Sequence, residues 1–454
     1  MKKVILSALF LAALPYVVQA QEEETPENTF TLSAQLRPRF EYRNGAYVPL
    51  QEGEKPAILV NNRTRINFDY RHGDQLQLFL SFQNVNIWGQ APQVQLNDRT
   101  GGLSIFEAYA ALPIYKDINA KIGRQMIVLD EDRIFGSLDW HPAGRAHDAI
   151  NINWKNDKLT LRSFFAFNQN YFDGNASSVN GNVNNSKGQY FYIAPGTQPY
   201  QHLEAVHAHY NITPTQGVSV LVANLGQRNS SNNDIDYNMQ TIGFHYRGKS
   251  DALRYGAEGY LQTGKSATSK KEDGSIIPSK DKQAFLLAAL VGYQFTPTFS
   301  ATLGVDYLSG NDTNSSSDKD KAFNPFSGTN HKFYGFMDHF YVSYSPSYGL
   351  LNPYLTLNLK TSDKGSLSAT GHYFHSAGKI LGDQGSKTRL LAVEGDLVYT
   401  HKIQQYVSLQ AGYSLIVPSS TYKQQRGLNL KVRKQQDWLW CSLNINPKLF
   451  SAKF

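Results

Sequence analysis

The sequence predicts an all-β protein, a transmembrane antiparallel barrel of about eighteen strands, and three observations predict it. Apolar and polar residues alternate with the period of a strand, tight turns alternate with long polar loops, and an export signal is followed by no apolar run of helical spanning length.

The N-terminus comes first. Lys2 and Lys3 precede an apolar run from Val4 to Val18 that ends in Val18-Gln19-Ala20, the form of a secretory signal peptide over residues 1–20. Cleavage after Ala20 leaves a flexible acidic leader over residues 21–29 and a barrel over residues 30–454. The composition suits strands and turns, with 27 Tyr, 25 Phe and 35 Gly. A single cysteine, Cys441, excludes an intramolecular disulfide framework and reads as a small apolar strand residue. The formal net charge of +7 includes the two signal-peptide lysines, so charge alone establishes no anionic partner.

The first strand is "LSAQLRPRFEYR", Leu32 to Arg43. One parity carries Leu32, Ala34, Leu36, Pro38, Phe40 and Tyr42, the other Arg37, Arg39, Glu41 and Arg43. A period of two with unlike faces is a strand between two solvents. The split recurs from Arg63 to Arg71, again from Leu76, and later around Leu253–Gln262 and Phe299–Tyr307. Tight turns stand at Arg71–Asp74, Thr213–Gly217, Gly248–Asp251, Thr296–Thr298 and Lys402–Gln405. Long polar stretches lie at Asp173–Tyr200, Gln227–Asn238, Lys265–Lys282 and Gly310–Lys332. Short turns at one end and long external loops at the other describe an outer-membrane barrel. The apolar parity then faces lipid and the arginine parity a water-filled lumen. Inverting the strand would cost about 2–4 kcal/mol per arginine at the midplane. The five tryptophans, Trp88, Trp140, Trp154, Trp438 and Trp440, are expected in interfacial girdles.

A symmetric hairpin around residues 44–56 sets Arg37 beside Arg65 and Arg39 beside Arg63. Like charges facing one another destabilise a sheet, so four cations at one height need compensating carboxylates or a recurring anionic visitor. Arginine rings select anions in pores, and the guanidinium fork matches a carboxylate in two-point contact. The competing reading is a wall network in which Glu41, Asp69, Glu107, Glu258, Glu394 or Asp396 neutralises the arginines and stiffens the barrel.

Several blocks carry a family likeness: "GRQMIVLDEDRIFGSLDWHPAGRAHDAI" from Gly123 to Ile150, "YLSGND" with "FNPFSGTNHKFYGFMD" from Tyr307 to Asp338, and "EGDL", "GYS" and "INPKLF" between Glu394 and Phe450. On these the sequence resembles the alginate export family of outer-membrane barrels. The resemblance implies an eighteen-stranded barrel that passes an anionic uronate polymer, with long loops and turns as partial plugs. By position it makes Arg37, Arg39, Arg63, Arg65, Arg124 and Arg145 the lining cations. Glu107, Glu258, Glu394 and Asp396 are the acidic counterparts. It implies outer-membrane lipid and periplasmic export proteins as further partners, and no cofactor.

Other classes are weighed against this. An anion-preferring general or oligosaccharide-uptake porin shares every feature named. A barrel enzyme lacks support, since neither a Gly-x-Ser-x-Gly elbow nor a His-Glu-x-x-His motif occurs. In "HLEAVH" the histidines fall five apart on a strand and point to opposite faces, while His207 and His209 share a parity as polar wall residues. A plugged TonB-dependent transporter would need more chain. Nucleic-acid binding is excluded because the aromatic and arginine residues lie on opposite faces. The stretch Asn314–Phe326 reads as a mobile external loop. The lipid parity carries no polar stripe, so a monomer is expected.

Overall fold

The computed structural model describes residues 27–91, 93, 102–168, 200–228, 235–266, 269–270, 276–313, 317–380, 389–426 and 432–454. The expected signal peptide, most of the leader and the loop stretch 173–199 lie outside the described residues. Eighteen antiparallel strands close on themselves. The first nine are β1 (Asn28–Asn44), β2 (Ala57–His72), β3 (Leu76–Ile87), β4 (Ser104–Tyr115), β5 (Ile118–Gln125), β6 (His147–Lys155), β7 (Leu159–Phe167), β8 (His202–Thr213) and β9 (Gln216–Arg228). The others are β10 (Ile235–Ser250), β11 (Leu253–Gly264), β12 (Ala284–Thr296), β13 (Phe299–Leu308), β14 (Leu350–Lys360), β15 (Gly365–His375), β16 (Leu390–Gln404), β17 (Val407–Pro418) and β18 (Gln436–Ile445, continued over Lys448–Lys453). Each strand pairs with its chain neighbours, and β1 pairs with both parts of β18, which closes the barrel. The break in β18 falls at Asn446-Pro447. Proline has no N–H for the ladder, although its carbonyl still accepts from Ala34 N at 3.1 Å. A count of nineteen strands and a count of eighteen therefore describe the same wall.

β1 begins at Asn28, two residues ahead of the expected barrel boundary, because Asn28 fixes the register of β2. Its Oδ1 accepts from Tyr70 Oη at 3.0 Å and lies 2.7 Å from His72 Nδ1. The ladder therefore pairs Asn28 with His72 and Arg37 with Arg63, while Arg65 faces Gln35 and Arg39 faces Asn61. The register expected from a symmetric hairpin is thus off by two. The loop end does not set it: Pro56 has no N–H to offer, and Asn44 turns instead to Asp437 at 2.6 Å.

The outward parity is apolar and exposed along the wall, as at Ile66, Val222, Ile242, Leu261, Leu303 and Leu355. It ends in a polar collar: Arg124 pairs with Asp148 at 2.9 Å, and Glu204, Asn224 and Gln240 form a hydrogen-bonded row at 2.8 Å per link. Asn224 lies eight residues from the turn-side end of β9. At a rise of ~3.3 Å and a tilt near ~40°, that is about 20 Å of height, close to the ~25 Å apolar band of outer-membrane barrels. Trp154 lies on the outward parity beside a tight turn, as a girdle residue would.

The buried apolar core lies inside the barrel, toward the loop end. Two chain segments, 126–146 and 321–349, fold inward and pack Ile127, Leu129, Ile134, Phe135, Tyr334, Met337 and Phe340 against inward residues such as Leu203, Leu225, Leu286, Phe374 and Ile416. The stretch from Lys321 to Lys332, expected to be external, therefore turns into the lumen, and Phe323 and His331 are buried. Its apolar residues have nowhere else to lose water. Trp438 and Trp440 are likewise buried on the inward parity, and Trp140 packs edge-on against both, so these three belong to the core and not to a girdle.

Candidate functional site

The site is the lumen where the two inward segments meet the wall. The 126–146 segment leaves β5 as Glu107 accepts a hydrogen bond from Met126 N at 3.0 Å, then crosses the barrel. It presents opposite charges to opposite walls. On the β11 and β13 side, Arg133 Nη2 reaches Glu258 Oε1 at 3.0 Å and Asp306 Oδ1 at 2.8 Å. On the β1 and β2 side, Asp139 meets Arg63 at 2.8 Å, Arg65 at 3.4 Å and Arg37 at 3.5 Å. The segment is a strut held by complementary ion pairs at both ends.

The arginines also hold its main chain. Arg37 donates to Asp139 O at 2.7 Å, Arg39 to Trp140 O at 2.8 Å and Arg65 to Ala143 O at 3.2 Å. Arg39 lies over the Trp140 ring at 4.3 Å, and its Nε donates to Glu41, which Arg43 shares. Within these ion pairs Arg37, Arg39, Arg43, Arg63 and Arg65 have only Glu41 and Asp139 between them. Five cations thus share two carboxylates at ion-pair distance, and among the described residues Nη2 of the buried Arg39 and Arg63 has no acceptor.

The second segment closes the remaining side. Gly335, at φ +81°, brings the chain so near Glu394 that a Cβ there would stand 2.5 Å from its Oε1. That approach lets Met337 N donate to Glu394 Oε1 at 2.8 Å and Phe336 N to Asp396 Oδ2 at 3.4 Å. His331 is sandwiched between Trp140 at 4.4 Å and Phe336 at 4.6 Å and bonds Asp338 at 2.7 Å. Arg145 ties the segments together through the carbonyls of Ser327 and Gly328.

Of the residues expected at the site, Arg37, Arg39, Arg63, Arg65, Arg145, Glu107, Glu258, Glu394 and Asp396 all face this constriction. Arg124 does not. It belongs to the outward parity with Ile122, paired with Asp148 in the polar collar, because Lys121 and Gly123 take the inward positions of β5. His207 does face inward, to Asp130 at 3.1 Å. Sequence reasoning missed Asp139, Asp306 and the strut role of Arg133. The available signal was the run Ile127 to Trp140, too apolar for an exposed loop.

Partial desolvation opposes ionisation of the Asp139 carboxyl, yet the guanidiniums of Arg63, Arg37 and Arg65 hold it below its ordinary range. Desolvation acts likewise on Asp130, which hydrogen bonds from His207 and Ser219 hold low. A depressed carboxyl stabilises fully above its unfolded pKa, ~3.9, and loses that contribution as pH falls through the lower folded value. The strut contacts are thus expected to hold conductance steady from about pH 8 to pH 5 and to loosen below about pH 4. A single-channel pH series checks this; a rise already between pH 8 and 6 would mean that groups other than these two carboxylates hold the inward segments.

The comparisons bear on the family and the fold. The family model for alginate export matches residues 29–434. No curated protein matches the sequence significantly. Among solved structures, OccAB4 of Acinetobacter baumannii is similar at a TM-score of 0.59 and 12% identity, over 95% of this chain and 99% of that one. OccK8 (OprE) of Pseudomonas aeruginosa is similar at 0.59 and 9%, over 93% and 98%. The P. aeruginosa OpdK structure with vanillate is similar at 0.57 and 8%, over 93% and 99%. At these identities the solved structures establish the fold alone.

Proposed function

Since the chain belongs to the alginate export family of Gram-negative outer-membrane barrels, we propose that it is a channel for an anionic polysaccharide, alginate or a similar uronate polymer, moving by passive diffusion along its arginine cluster. The observation that carries this reading is the excess of guanidinium groups on β1 and β2, five arginines that share two carboxylates in their ion pairs among the described residues. A uronate supplies one carboxylate per sugar, and each offers the planar two-point match that a guanidinium takes. Conduction needs binding that is favourable but shallow, and Glu41, which already pairs with Arg39 and Arg43, keeps part of this charge from the passing chain. Transport is the work of the wall in this reading, with no catalytic step.

A second reading is uptake of small carboxylates by an anion-preferring porin. It is favoured by the filling of the loop-end lumen with two inward segments, which leaves less room for a polymer. The structurally similar OpdK was solved with vanillate, a small aromatic carboxylate.

Planar-bilayer conductance of the full barrel separates the two. For the polymer reading, wild type is expected to prefer anions and to be blocked by uronate oligomers and not by neutral glucans. In Arg37→Ala/Arg65→Ala both the preference and the block should weaken about tenfold or more. Unhindered permeation of monomeric carboxylates without block by oligomers would favour the porin. A pore indifferent to all these solutes would remove both.

A further inference from the structure

Resting on the polymer reading above, we propose that Asp139 is a built-in competitor for the substrate: a carboxylate of the chain itself that occupies the three-arginine site and exchanges with the carboxylates of a passing sugar.

Three observations carry it. The first is identity of chemistry, since Asp139 makes with Arg37, Arg63 and Arg65 the contacts a uronate carboxylate would make. The second is an asymmetry of exposure. The Asp139 side chain is 53% exposed, whereas those of Arg63, Arg65 and Arg37 are 1%, 10% and 12% exposed. The carboxylate is thus the part of the site that faces open lumen, and the cations lie beneath it. The third is that the main chain beside it is held separately. The carbonyls of Trp140 and Ala143 accept from Arg39 Nη1 and Arg65 Nη2, nitrogens that do not pair with the Asp139 carboxylate, and Gly136 N donates to Ser327 O at 2.9 Å. Rotation of one side chain therefore uncovers the arginines without unfolding the strut.

The consequence for transport follows from the exchange. An incoming carboxylate replaces an equivalent one, so the ion pairs broken and formed are alike and the net gain is small. Affinity is lowered by the fraction of time the site is uncovered, and the returning Asp139 helps expel the sugar. Without it, the clustered cations would hold a polyanion too long for conduction.

The test is uronate-trimer block of single channels of the full-length barrel, wild type against Asp139→Asn, an isostere that keeps the main-chain contacts. Expected is a three- to tenfold longer blocked dwell and a correspondingly lower half-blocking concentration in Asp139→Asn, with neutral glucan trimers inert on both. Asp139→Glu, which keeps the competitor, should block like wild type. Block of wild type that is equal or weaker in Asp139→Asn would overturn the competitor role and leave the polymer reading standing. The competitor role also falls if Asp139→Asn merely raises conductance to every solute, because that is a loosened loop. Trimers that block neither protein would overturn the polymer reading itself, and the competitor with it.

Discussion

Replacing Arg133 by glutamine is expected to loosen the 126–146 segment at the far wall, where Asp130 and Glu131 keep contacts to His207 and Arg247, and to raise single-channel conductance. Arg133 is buried, as are both its partners, Glu258 and Asp306. It also lies over the Phe333 ring at 3.7 Å and so links the strut to the second inward segment. Removing one partner of a buried ion pair costs about 3–5 kcal/mol, because the other charge is left unpaired. Here two carboxylates lose their cation at once. Glu258 keeps Arg247 at 3.5 Å, but Asp306 retains only an amide, Asn352 at 3.1 Å. The cheapest escape is for the segment to loosen there and for water to reach both acids. Arg133→Lys keeps the charge but not the fork that spans two carboxylates, so an intermediate conductance is expected. Barrel integrity is checked separately by the gel shift of unheated protein. Unchanged conductance in an intact Arg133→Gln barrel would mean that the segment's other wall contacts, Asp130 with His207 and Ser219, Glu131 with Arg247, and Asp139 with the β1 and β2 arginines, hold it without Arg133.

How much of this was legible follows from which forces leave a periodic trace. Lipid outside and water inside impose a period of two, so the strands, the closure and the faces of Arg37, Arg39, Arg63 and Arg65 could be read directly. The register of β1 against β2 could not. It depends on one terminal asparagine, Asn28, and on a proline that offers no N–H at the other end of the hairpin. Trp438 and Trp440 were misplaced for a related reason. Leu439 and Cys441 oppose them on the same strand, so both faces are apolar and alternation carries no sign. Only the inward segments make that lumen face apolar, and a long-range fold of two loops writes no period into the chain. Their apolar content was the one available clue. Arg124 shows the converse limit: an arginine on the outward parity is tolerable at the margin of the apolar band, beside Asp148, where water and headgroups begin.

The sidedness of the wall can be tested at two consecutive residues of β14. Leu355 is 45% exposed on the outward parity, beside Leu303 of the neighbouring strand and five residues from the turn-side end at Lys360. At ~3.3 Å per residue and a tilt near ~40°, that is about 13 Å of height, close to the middle of a ~25 Å band. Thr356 points the other way, its hydroxyl 3.0 Å from that of Thr370 across the inward face. Leu355→Arg is expected to cost about 2–4 kcal/mol of folding free energy in lipid, whereas Thr356→Arg, in water and two strands from Asp396, should cost little. Equilibrium refolding into lipid vesicles across a denaturant series measures both. The difference between neighbours is the informative quantity, since strand propensity and chain position are nearly the same for the two. Equal costs would mean that water reaches both faces at this height, and the reading of an apolar outer belt would fail there. A large cost at Leu355 alone would fix the inward parity of the whole sheet, because one strand's orientation propagates through every hydrogen-bonded neighbour. With it comes the placement of the β1 and β2 arginines on the lumen side, on which the transport reading and the role of Asp139 both depend.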